Sequence, residues 1–71
     1  MKPLDIQFLI RRAGKTQAAL ARELAVSKTT VTTVIQGKSR SRRVAQAIAD
    51  LTGRTVDELW PGAYAQESAE S

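Results

Sequence analysis

The sequence predicts an all-α fold, a small bundle of four to five short helices, and three observations predict it. Apolar residues recur at spacings of three and four in successive segments, the period of one helix face. Hydroxyl residues stand just before these segments (Thr16, Ser27, Ser41 and Thr55), where a side-chain oxygen can accept from the first-turn amides. Glycines stand just after them (Gly14, Gly37 and Gly53), where a chain leaving a helix often turns left-handed.

Each element follows from these signals. Pro3 suits a first helical position, and Ile6, Leu9, Ile10 and Ala13 give the first helix its apolar spacing before Gly14. Thr16 caps a second helix with Leu20, Ala21 and Leu24 on one face. Ser27 caps a third with Val31, Val34 and Ile35 inward, ended by Gly37. Ser41 caps a fourth with Val44, Ala45, Ile48 and Leu51 inward, ended by Gly53. Thr55 with Glu58 fits a capping box for a short fifth helix, stopped by Trp60-Pro61-Gly62. Leu4 and Phe8 lie off the main face of the first helix and are expected to receive Leu59, Trp60 or Tyr64. Residues 1–64 thus read as one domain and 65–71, rich in Ala, Gln, Glu and Ser, as a disordered acidic tail.

One stretch resists. Thr29 to Ile35 is an unbroken β-branched run, which by propensity favours a strand. As a helix it loses on the order of 3 kcal/mol relative to alanine. Yet a strand would leave both faces mixed, whereas a helix gathers Val31, Val34 and Ile35 and leaves Thr29, Thr33 and Gln36 opposite. The helix is therefore expected, with an outer face selected for something other than helix stability.

Composition narrows the function. With neither Cys nor His, the chain lacks a disulfide framework, a thiolate nucleophile and the usual general base and metal ligand. No phosphate-binding loop and, within the predicted helices, no paired carboxylates at helical spacing stand in their place, so an enzyme is not expected and no cofactor or metal is implied. No apolar run exceeds the four residues Ala18–Ala21, far short of a membrane span or secretory core. The formal charge of +4 is unevenly distributed: residues 11–43 carry nine bases and one acid, or +8, whereas residues 54–71 sum to −3. A basic block of this kind suits a polyanionic partner.

Within that block, two short helices, 17–24 and 28–36, are joined by the turn Ala25-Val26-Ser27. Ala21 is small enough for the helices to cross, and Leu20, Leu24, Val26, Val31 and Val34 bracket the turn. This is a helix-turn-helix pattern, whose second helix enters the major groove of DNA. The segment Gln17–Ile35 resembles the helix-turn-helix of lambda-repressor-like (Cro/repressor) domains, with Gln17, Ala21, Ala25 and Val31 at the first, fifth, ninth and fifteenth motif positions. The ending Leu59-Trp60-Pro61-Gly62-Ala63-Tyr64 is similar to that of Ner-like phage and bacterial regulators. The ninth position is often glycine because the turn is left-handed there, so Ala25 is expected to bear about 1 kcal/mol of strain, and Ala25→Gly to be neutral or stabilising. The segment 38–43 is more basic than that family's pattern leads one to expect.

The resemblance implies a sequence-specific regulator of transcription, with repression the expected sign. Lys28, Thr29, Thr32, Thr33 and Gln36 are the candidates to face base edges: threonine for a thymine methyl or a base edge, glutamine for adenine, lysine for guanine or phosphate. Gln17, Lys15, Ser27, Lys38, Arg40, Arg42 and Arg43 are the candidates to hold the DNA backbone, Gln17 together with the amides of its helix N-terminus. Arg11 and Arg12 read equally well as solvated surface. The partner is double-stranded DNA, with a homodimer on DNA or binding to repeated half-sites expected because one such module buries little surface. No small-molecule effector and no membrane contact are expected, and the location would be cytoplasmic, with the nucleoid. The alternative is a helix-turn-helix antitoxin or adaptor whose main partner is another protein, docked by the acidic tail.

Overall fold

The computed structural model describes residues 1–64; the expected tail, 65–71, lies outside the described residues. The fold is all-α: α1 (Pro3–Arg12), α2 (Gln17–Leu24), α3 (Lys28–Ile35), α4 (Arg42–Thr52) and α5 (Val56–Leu59). No β-strand occurs among the described residues, and none of their helices is long and apolar enough to cross a membrane.

The four expected caps all form. Thr16, Ser27 and Ser41 accept from Ala19, Thr30 and Val44 N–H. Thr55 and Glu58 close a reciprocal capping box. The Thr55 amide donates to the Glu58 carboxylate and holds its pKa below the ordinary value. The β-branched run is helical. Its local cost is met by burial, since Val31, Val34 and Ile35 are sealed from solvent. Two of its threonines also turn their hydroxyls back onto the helix, Thr32 to Lys28 O (3.0 Å) and Thr33 to Thr30 O (3.1 Å). The third helix closes at Ile35, with Gln36 as its C-cap.

The core joins Ile6 and Ile10 of α1, Leu20 and Ala21 of α2, the apolar face of α3, and Val44, Ala45, Ile48 and Ala49 of α4. Leu59, Trp60 and Tyr64 complete it. They do so on the α3–α4 side. Trp60 Nε1–H donates to Ile35 O (3.3 Å), and the Tyr64 hydroxyl accepts from Ser41 N–H (3.3 Å). The two rings meet edge to face at 5.9 Å.

This corrects one expectation. Leu4 and Phe8 do not receive the C-terminal residues; they remain 73% and 64% exposed. The buried stripe of α1 is Ile6 and Ile10, with Leu9 flanking it. Leu4 and Phe8 project from the opposite side, while the indole is held at the end of α3 by its hydrogen bond.

Candidate nucleic-acid interface

The α2–α3 hairpin is built around its turn. Ala25 is left-handed (φ 57°, ψ 40°), as expected, and is the sole non-glycine residue among those described with positive φ. Around it, Val26 N–H donates to Ala21 O (2.9 Å) and Ala25 N–H to Arg22 O (3.2 Å), which satisfies two carbonyls of the last turn of α2. Ala21, only 4% exposed, lies in the core between the helices. The turn therefore fixes the angle at which α3 presents its outer face.

On that face the candidate base-facing residues divide into two groups. Lys28, Thr29 and Gln36 are exposed. Thr32 and Thr33 are half-buried, and their hydroxyls are engaged within the protein. Thr32 Oγ1 donates to Gln17 Oε1 at 2.7 Å, tying the middle of α3 to the start of α2. Thr33 Oγ1 accepts from Ser39 Oγ–H (2.9 Å), tying α3 to the segment that follows it. A threonine hydroxyl has a single proton, so both are poorly supplied to donate outward.

The candidate backbone-facing residues divide in the same way. Ser27 Oγ serves the α3 cap and also lies 2.9 Å from Thr30 Oγ1. Lys15 is paired with Glu23 across α2. Gln17 is half-buried, with its carboxamide oxygen held by Thr32, so its amide N–H groups are the end left to face outward. Lys38, Arg40, Arg42 and Arg43 are all exposed. The backbone carrying them is anchored: Lys38 N–H donates to Thr33 O (2.9 Å) and Ser41 N–H to the Tyr64 hydroxyl. Arg42 and Arg43 open α4, whose first turn holds no acid. Cations at a helix N-terminus oppose its dipole, so neither arginine gains from the helix field there.

Arg11, which the sequence left open between DNA backbone and solvated surface, sits at a notch. Together with Gln7, Ile10, Thr16, Gln17, Ala18 and Lys28 it lines an open notch of about 240 Å³ where the ends of α1, α2 and α3 meet. Two cationic side chains and the first turn of α2 border this notch, a composition suited to one phosphate group. The signal lay in the short link 13–16, whose left-handed Gly14 (φ 83°) brings the last turn of α1 beside the first turn of α2.

No curated protein and no solved structure matches the chain. A family match, in contrast, runs over residues 1–71 and agrees with the capped hairpin and its basic surround: the chain belongs to the family of winged helix-turn-helix DNA-binding domains.

Proposed function

We propose that this chain is a sequence-specific regulator of transcription, a repressor of the lambda-repressor-like and Ner-like kind, which occupies its operator by laying α3 in the major groove. Residues 1–64 are the binding unit, with 65–71 outside it. Lys28, Thr29 and Gln36 read base edges, while Thr32 and Thr33 contribute methyl contacts and hold the reading face in place. Gln17 binds a backbone phosphate through its amide N–H groups, with Lys38, Arg40, Arg42 and Arg43 gripping the flanking backbone and Lys15 and Ser27 at its edge. Two protomers serve one operator. The observation that carries this reading is the exposed Lys28–Thr29–Gln36 face beside the anchored basic rim of Lys38, Arg40, Arg42 and Arg43.

The test is selection from random double-stranded DNA, followed by binding measurements at two salt concentrations. Enrichment of a defined site is expected, with an affinity that falls steeply as salt rises. Removing Lys38 and Arg40 together should lower the salt slope by about two, and leave the selected sequence unchanged. Weak binding to all sequences that vanishes with salt would sink the sequence-specific reading. An adaptor whose main partner is a protein would give that result.

A further inference from the structure

The outer face of α1 carries the exposed large hydrophobic side chains of the described residues. Leu4 and Phe8, one turn apart, are 73% and 64% exposed, with Met1 (40% exposed) at the same end. Nothing in the core or the DNA-facing surface uses them. The charges beside this stripe are arranged in a way that selects its occupant. Asp5 lies in the first turn of α1 and Arg12 in the last. They are seven residues apart, so they share one flank of the stripe, and neither has an ionic partner among the described residues. We propose that this face is where a second copy of the chain docks, α1 against α1 in antiparallel order.

The geometry is self-complementary. A two-fold axis perpendicular to α1, passing near Phe8, sets each Phe8 ring beside the other. The same operation brings Asp5 of each protomer opposite Arg12 of the other, two ion pairs on one flank. It also keeps like flanks together. The flank bearing Gln7 and Arg11 borders the notch with Gln17 and Lys28. The flank bearing Leu9 and Arg12 borders the end of α4 at Leu51 and Thr52. Pairing about this axis therefore turns the two recognition faces toward the same side, as one duplex requires, and leaves the ion pairs on the side away from it.

The proposal deepens the reading that two protomers serve one operator, and rests on it for its purpose but not for its test. α1 has ten residues, about 15 Å of helix. A single pair of such helices covers less than the roughly 800 Å² per partner of a standard interface. The pair is accordingly weak in solution and is completed on DNA, where both protomers are held side by side.

Sedimentation equilibrium without DNA, from micromolar to millimolar protein, tests it directly. The wild-type chain is expected to enter a monomer–dimer equilibrium in that range. Phe8→Ser and Leu4→Ser, both at exposed positions, should leave melting unchanged and weaken association by roughly tenfold or more each. Asp5→Arg and Arg12→Asp should each weaken association, and the two together should restore it. A wild-type chain that stays monomeric throughout, as it would if the stripe served a foreign protein, overturns the proposal. So does a charge-swapped double variant that fails to regain what the single variants lose. Because no DNA is present, neither result depends on whether site selection succeeds.

Discussion

Helices α3 and α4 lie against each other in one core, yet they are composed on opposite principles. α4, RRVAQAIADLT, is an ordinary amphipathic helix whose buried side is Val44, Ala45, Ile48 and Ala49. Its exposed Gln46 and Asp50 bond to each other one turn apart. α3, KTTVTTVI, is made almost wholly of residues that disfavour helix, and is held in shape by its cap, its burial and its back-bonded hydroxyls. The difference separates scaffold from the surface proposed to read DNA. In α4 beyond its first two arginines, each residue serves the fold. In α3 the inner face serves the fold and the outer face is held in spite of its cost.

Substitutions on the two helices put that contrast to the test. The largest effect is expected for Ile48→Ala, which empties a fully buried site in α4. It should destabilise by about 2–5 kcal/mol, lowering Tm by roughly 4–8 °C for each kcal/mol, and leave site preference unchanged in whatever fraction stays folded. Altered preference without altered melting would erase the scaffold role. A smaller and opposite pattern is expected on α3. Thr29→Ala should raise stability by about 0.5 kcal/mol, because alanine is the better helix former, yet cost about 1–3 kcal/mol of discrimination at one base pair. Thr32→Val, by contrast, removes the hydroxyl that holds Gln17, so its loss of affinity should be uniform across sequences. Competition binding against single-base operator variants separates the two patterns. The smallest effect belongs to the turn that leads into α3. Ala25→Gly relieves a left-handed alanine and should be neutral or stabilising by about 1 kcal/mol in thermal melting. A clear drop in Tm would mean that the turn draws on the methyl group for packing.

How far the sequence could be read depended on the range of the interaction. Thr16, Ser27, Ser41 and Thr55 were legible as caps because a cap joins residues three apart. The helical state of Thr29–Ile35 was legible from periodicity, even against propensity, because burial of one face outweighs small local terms. The misplacement of Leu4 and Phe8 arose from the opposite case. Which side of α1 meets the C-terminal aromatics depends on where the Trp60 indole finds an acceptor, and that acceptor is Ile35 O, 25 residues away. The site shows the same boundary. That Lys28, Thr29 and Gln36 lie on the outer face follows from spacing alone. That Thr32 bonds Gln17, or that Lys15 meets Glu23, depends on how α2 crosses its neighbours, which no single-helix pattern carries. The family is also described as winged, whereas among the described residues a basic loop at 37–41, and no β-hairpin, follows α3.

The bond from Ser41 N–H to the Tyr64 hydroxyl has a consequence for motion. It joins the end of the basic loop to the last described residue of the core, across 23 positions of sequence. Opening of the loop and peeling of the C-terminal aromatics therefore cannot be independent events, since each must break the same bond. In hydrogen-exchange terms, the Ser41 amide reports on both, and its protection measures how firmly the aromatic end of the chain holds the arginines in register.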